Sequence, residues 1–306
     1  PTHAQINLPA TSAEAGRFLV FSMLESTRVP CKPVKPVAPY LGGKRLLSNG
    51  IVAKLKEIPH RAYVEPFVGM GGIFFRRDFI SPCEVINDLN GDIANLFRIL
   101  QRHYGPFMDM LSWQISSREE FIRWRSINPE ALTDLERAVR FIYLQRLAFG
   151  GQTNGSFGVS ISASRFDIQK VKHLLCDVRD RLSRVVIECL PYSEVIDRYD
   201  RQDTLLYLDP PYYGNERDYN APFSRADFER LAAQLEKIKG RFVFSLNDRP
   251  EVRQIFSAFQ IESVQVSYSI SREIKGRGKR REVIISNKLP TTLASFPSQK
   301  IWKSHM

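Results

Sequence analysis

The chain switches repeatedly between short apolar runs and apolar positions at helical spacing, and the order of these switches predicts its elements. Residues 46–58 carry helical spacing behind a glycine loop, Pro39-Tyr40-Leu41-Gly42-Gly43-Lys44-Arg45. Ala62-Tyr63-Val64-Glu65-Pro66-Phe67 has the pattern of a strand, followed by the glycine turn Val68-Gly69-Met70-Gly71-Gly72 and an apolar helix start at Ile73-Phe74-Phe75. A second short strand over 84–88 ends in acidic residues, and 92–103 predicts a helix. From about 104 to 180 the rhythm is lost. Amphipathic runs such as 133–147 there surround the polar glycine loop 149–156. The rhythm resumes with strands at 185–190, 204–208 and 242–246, with a helix over 225–239, and 264–272 with 282–287 predict a terminal hairpin. Alternating strands and helices imply an α/β fold whose mostly parallel sheet is covered on both faces. The expected organisation is an N-terminal arm over 1–35, an α/β domain built from 36–103 and 181–290, an inserted, mainly helical domain over 104–180, and a tail over 291–306.

Composition narrows the class. The 306 residues are 43% hydrophobic and 25% charged, an ordinary globular balance. The formal charge of +11 points to a polyanionic partner such as nucleic acid, because Lys and Arg contacts to phosphate supply much of the affinity of such binders. Cys31, Cys83, Cys176 and Cys189 are widely separated and have no metal-ligand spacing, so they read as free thiols of a cytoplasmic protein with no metal and no membrane span.

The chemistry concentrates at strand ends. Asp209-Pro210-Pro211-Tyr212 follows the apolar run Thr204-Leu205-Leu206-Tyr207-Leu208. Proline has no backbone donor, so the Pro210 carbonyl and the Asp209 carboxylate form a pair of acceptors suited to a planar amine, with Tyr212 available to stack on its ring. An ordinary proline turn with a solvated carboxylate is the other reading of this tetrapeptide. Gly69-Met70-Gly71-Gly72 lets a ligand approach the backbone where a strand ends, but lacks the third glycine of a dinucleotide site. Glu65 before it suits a cationic ligand, and Asp88 suits ribose hydroxyls or, alternatively, caps the next helix. Lys275, Arg277, Lys279, Arg280 and Arg281, at the tip of the hairpin, suit phosphates, or form a solvated basic turn. In the loop 149–156, Gln152 and Asn154 could pair with base edges and Phe149 could wedge into a base stack.

Pro39-x-x-Gly42-Gly43-Lys44, Glu65-Pro66-Phe67-x-Gly69-x-Gly71, Asn87-Asp88-x-Asn90 and Asp209-Pro210-Pro211-Tyr212, in that order, resemble the Dam-type adenine-specific DNA methyltransferases of the α group. The likeness spans 37–287 and includes Phe141-Ile142-Tyr143-Leu144-Gln145-Arg146 before the recognition loop. It implies a Rossmann-like methyltransferase fold with a mixed, mostly parallel sheet, a terminal β-hairpin and an inserted target-recognition domain. It also implies S-adenosylmethionine as cofactor, contacted by Tyr40 and Lys44, wrapped by Glu65, Pro66, Phe67, Gly69 and Gly71, with its ribose on Asp88. Asp209 would lie between cofactor and base, with Pro210 and Tyr212 holding an adenine flipped from double-stranded DNA, in a monomer or weak dimer. The loop departs from the family: between Gly151 and Phe157 it is shortened to Gln152-Thr153-Asn154-Gly155-Ser156, which leaves a site-specific or a relaxed target open. An RNA adenine or DNA cytosine-N4 methyltransferase would use the same tetrapeptide, and a catalytically silent nucleic-acid-binding module is the alternative of another class.

Overall fold

The computed structural model describes residues 28–40, 44–151, 155–159, 165–214, 223–268 and 278–287. Its main sheet contains β2 (Ala62–Glu65), β4 (Cys83–Asn87), β5 (Val186–Glu188), β6 (Thr204–Leu208), β7 (Arg241–Asn247), β8 (Gln260–Tyr268) and β9 (Gly278–Ser286). The order is β5-β4-β2-β6-β7-β9-β8. The first five strands run parallel, whereas β9 is antiparallel to β7 and β8 antiparallel to β9, giving the expected mixed, mostly parallel sheet with a terminal hairpin.

The central strands are apolar throughout because both faces are covered. Successive side chains of β6 alternate between two cores: Leu205 and Tyr207 face one cluster, Leu206 and Leu208 the other. On the second face lie α7 (Tyr192–Tyr199), α8 (Arg225–Leu235) and α9 (Pro250–Ile255), through Val195, Phe228 and Val252. The first face carries α1 (Ser48–Glu57) and α2 (Gly91–Arg102), through Ile51, Phe97 and Leu100. The segment between the two halves of the sheet forms α3 (Tyr104–Ser112), α4 (Arg118–Ser126), α5 (Asp134–Leu147) and α6 (Ile168–Leu182). Phe107, Phe121, Ile142 and Leu175 from these helices join the same apolar cluster as α2. A reciprocal capping box between Thr133 and Glu136 starts α5, the helical run expected over 133–147.

Three local expectations change. Ile73-Phe74-Phe75 does not open a helix; Phe74–Arg76 is a single 3-10 turn. Phe74 and Phe75 are both fully buried, so the run has no solvent face, and Arg77 is already extended toward β3 (Phe79–Ile80). Helix α8 stops at Leu235 rather than 239, because the Asp200 carboxylate accepts the Lys239 and Gly240 amides at 2.9 Å and turns the chain. Third, Lys279, Arg280 and Arg281 are strand residues of β9, opposite Ser267, Val266 and Gln265, and not part of a turn: the β-ladder extends four residues beyond the predicted start at Glu282. Lys275 and Arg277 lie outside the described residues.

Residues at the end of the expected arm lie along this unit. β1 (Val29–Pro30) pairs antiparallel with β3, and Val34 is buried. Among the described residues, no helix is long and apolar enough to cross a membrane. All four cysteines are unpaired.

Candidate active site

Strand β2 is flanked by β4, which continues to β5, and by β6, where the chain returns on the other side. Such a reversal of strand order opens a crevice outside the carboxyl ends of the strands. A cavity of about 1440 Å³ sits there, lined by Tyr40, Lys44, Glu65, Pro66, Phe67, Gly69, Asp88, Asp209 and Pro210 among others. Apart from Tyr40 and Lys44, which precede α1, these residues converge from distant parts of the sequence because each terminates or follows a parallel strand.

The glycine turn is shaped by close packing. Gly71 has φ +73°, and a Cβ there would lie 2.2 Å from the buried Phe75 ring; it forms the back of the turn and does not line the cavity. Gly69 has φ +51°, and a Cβ would fall 3.0 Å from the Tyr40 ring, so Tyr40 lies across the turn. Asp88 ties the turn to β4: one oxygen accepts the Gly69 amide at 2.9 Å and the other the Asn90 amide at 2.9 Å. Asn90, not Asp88, caps α2 with its side chain. Asn87 joins three strand ends, donating to the Pro66 and Leu190 carbonyls at 2.8 and 3.0 Å and accepting the Leu190 amide at 2.8 Å. Burial pushes the Asp88 carboxyl up to about 6, against the pull of its two amide donors.

Glu65 ends β2 with only 1% of its surface exposed. The Tyr63 hydroxyl donates to its Oε1 at 2.5 Å, and the Arg77 guanidinium covers the Tyr63 ring at 3.6 Å. Burial dominates and pushes the Glu65 carboxyl up to about 8, despite that hydrogen bond. A buried carboxyl held near neutrality is a site that ionises when a cation arrives.

Asp209, at the mouth of β6, is gripped by Lys44 Nζ at 2.7 Å, and the Ser245 hydroxyl approaches the same oxygen at 3.4 Å. Ser245 in turn shares a hydrogen bond of 2.8 Å with Tyr207. Burial pushes the Asp209 carboxyl up to about 6, with Lys44 opposing. Tyr212 does not line the cavity; its hydroxyl accepts from Lys44 at 3.0 Å and donates to Glu282 at 2.8 Å. Glu282, Ser245 and Asn247, whose side chain exchanges hydrogen bonds with the Tyr213 backbone, belong to strands with no motif of their own, so nothing in their local pattern singles them out. Phe223 and Tyr192 were also missed. They pack on Phe67 at centroid distances of 5.8 and 5.4 Å and give the cavity an aromatic wall.

The remaining residues singled out in the sequence stand at the rim or beyond. Phe149 is 51% exposed on a 3-10 turn, Phe149–Gly151. Buried Gln145 of α5 anchors that turn, donating to the Pro39 carbonyl at 2.7 Å and also to the Gly151 carbonyl. Gln152 and Asn154 lie outside the described residues, whereas Arg281 is described and exposed.

Chemically, the cavity offers a carboxylate beside a proline carbonyl, an acidic group ready to meet a cation, and a glycine turn open to close approach. Comparisons with known proteins agree with this set. The D12 class N6 adenine-specific DNA methyltransferase profile matches residues 40–270. The chain is similar to the type II methyltransferase M1.LlaDCHI of Lactococcus lactis subsp. cremoris, 24% identical over 276 residues that cover 83% of this chain and 95% of that one. It is likewise similar to a DNA adenine methylase of Vibrio cholerae serotype O1, 25% identical over 268 residues covering 80% and 93%. A DNA N-6-adenine-methyltransferase of Escherichia phage P1 is 26% identical over 290 residues, covering 85% of this chain and 37% of the phage protein. The chain therefore belongs to the D12 class of N6 adenine-specific DNA methyltransferases.

Proposed function

We propose that the protein takes its methyl group from S-adenosylmethionine and places it on N6 of an adenine extruded from duplex DNA, with Asp209 and the Pro210 carbonyl as the acceptors that aim the nitrogen. The observation that carries this reading is their position: both line the cavity that Glu65 and the Gly69 turn also line. The residues fit that donor. Glu65 is a buried carboxyl that gains from meeting a cation, the Gly69 turn allows backbone approach, and Asp88, although already accepting two amides, retains lone pairs for ribose hydroxyls. The Phe67, Tyr192 and Phe223 wall suits a purine face. Tyr40 and Lys44 would close the donor site from above, with Pro66 and Phe67 at its floor.

When bound, S-adenosylmethionine supplies an electrophilic methyl carbon and a sulfur that leaves as a neutral thioether. The protein's part is to prepare the nitrogen. Adenine N6 is a poor nucleophile because its lone pair is delocalised into the ring. Asp209 and Pro210, each accepting one N6 hydrogen, allow the nitrogen to pyramidalise and point that lone pair out of the ring plane. Asp209 need not be a strong base, since the nitrogen is cationic after transfer and gives up its proton readily to the carboxylate or to water. Extrusion of the base costs a few kcal/mol of unstacking, which stacking of the purine on the Tyr212 ring would offset in part. The helical segment 104–180 with the loop 149–156 would supply target recognition through Phe149, Gln152 and Asn154. Residues 36–103 and 181–290 would form the catalytic part, and Lys275, Arg277, Lys279, Arg280 and Arg281 would track phosphates.

The test is nucleoside mass spectrometry of duplex DNA incubated with protein and S-adenosylmethionine, beside RNA and adenine-free duplexes. N6-methyladenine from the adenine-bearing duplex is expected. Asp209→Ala should lower turnover by about 10²- to 10³-fold, the scale of removing one preorganised polar contact, while retaining most DNA affinity. Product from RNA alone, from adenine-free duplex, or undiminished turnover by the variant would overturn the reading.

A further inference from the structure

Glu282 belongs to none of the four motifs, yet its carboxylate is buried, 2% exposed, against the motif that carries Asp209. Its Oε1 accepts the Tyr212 hydroxyl at 2.8 Å, and its Oε2 lies 3.9 Å from Lys44 Nζ. That same ammonium sits 2.7 Å from Asp209, donates to the Tyr212 hydroxyl at 3.0 Å, and lies 4.1 Å from the centroid of the Tyr212 ring. Two carboxylates therefore share one ammonium, with a tyrosine hydroxyl between.

The arithmetic of charge matters here. With Lys44 on Asp209 alone, the pair is neutral, and its ammonium would repel the positive charge that grows on N6 during methyl transfer. A second carboxylate beside the ammonium adds negative charge to the cluster, the sign that a developing cation needs. The geometry also permits an exchange of partners. Moving Nζ by roughly 1 Å brings it within hydrogen-bond distance of Glu282. The Tyr212 hydroxyl, donating to Glu282 and accepting from Lys44, lies beside that path.

We propose that Glu282 is a positioning residue of the methyl-transfer site: it draws the Lys44 ammonium off Asp209 as the adenine amine arrives, and leaves Asp209 with its charge uncompensated for the reacting nitrogen. This rests on the assignment of Asp209 and Pro210 as acceptors of that amine. The hydroxyl bond to Tyr212 serves the same end, because it fixes the ring beside which Lys44 moves.

Glu282→Gln keeps the size of the side chain and an acceptor for Tyr212 but removes the charge. It should lower kcat about tenfold or more, with KM for DNA and cofactor affinity changed less than about twofold. In a Lys44→Met background, where no ammonium remains to be drawn away, the same change should alter residual kcat by less than about twofold. An equal factor in both backgrounds, or wild-type kcat in Glu282→Gln, would overturn the proposal. A structure of the wild-type protein with S-adenosylhomocysteine and an adenine-bearing duplex decides it without any variant. Lys44 Nζ should then lie within about 3 Å of Glu282 and beyond hydrogen-bond distance of Asp209; an ammonium still on Asp209 would refute the exchange. Wild-type protein that makes no N6-methyladenine would remove the underlying reading and this proposal together, whereas an active wild type with an indifferent Glu282 removes this proposal alone.

Discussion

A carboxyl that is 1% exposed and shifted from 4.5 to about 8 makes Glu65 a cost to the fold as well as a candidate ligand. The folded chain holds this proton more tightly than the unfolded chain, so the stability it confers is complete below pH 4.5 and is lost as pH rises to about 8. Glu65→Gln stays neutral throughout that range and can still accept from Tyr63. Without cofactor, its stability should fall less steeply with pH, by about one proton, and exceed the wild type at pH 8 by a few kcal/mol. Its affinity for S-adenosylmethionine should fall. Urea unfolding at pH 5 and pH 8, with calorimetric titration of the cofactor, measures both, and parallel pH curves for the two proteins would refute the assignment. At this scale, legibility in the sequence followed contiguity. Asp209, Pro210 and Glu65 were readable because each sits in a short motif at a strand end. Glu282 was not, because 70 residues separate it from Tyr212 and only the pairing of β9 with β7 brings it there.

Among the elements, the glycine turn after β2 is the most demanding. Gly71 and Gly214 both have positive φ, at +73° and +81°, but a Cβ on Gly71 would strike Phe75 at 2.2 Å, whereas one on Gly214 would meet nothing within 4 Å among the described residues. Backbone strain alone costs an alanine about 1 kcal/mol or a little more at such positions, so Gly214→Ala should lose that much. Gly71→Ala adds overpacking against a fully buried ring and should lose about 1–3 kcal/mol more. Thermal or urea unfolding of the two variants side by side checks the difference, and equal losses would mean that Phe75 yields freely. The strands themselves were legible to within a few residues, since β6 is an unbroken apolar run bounded by turn residues. The helix expected at Ile73 failed because an apolar run long enough to suggest a helix was instead buried on all sides within one turn. The basic residues of the hairpin have the composition of a loop, although the ladder with β8 accommodates Lys279, Arg280 and Arg281 as strand.

Across the whole molecule, an excess of 11 positive charges sits on a protein whose cavity lining balances five acidic side chains against five basic ones, so the excess lies on other surfaces, where it would serve affinity for DNA. Arg281 marks the boundary: it is exposed on β9, and the next residue, Glu282, is buried beside Lys44. The carboxylate near Arg281, Asp248, is already gripped by Arg253 at 2.7 and 2.9 Å. A side chain in that position suits a phosphate better than a protein carboxylate. Each phosphate contact releases condensed counterion, so Lys279→Ala combined with Arg281→Ala should reduce the slope of log K against log salt by about 1.8, the value for two contacts on duplex DNA. Phe149→Ala should instead weaken binding by a similar factor at every salt concentration, because a ring wedged into a base stack releases no ions. Fluorescence anisotropy with a labelled duplex across a salt series separates the two. An unchanged slope in the basic double variant would move the phosphate-tracking surface away from β9, and the helical segment, with Arg118, Arg123 and Arg125 on or beside α4, would become the next surface to test.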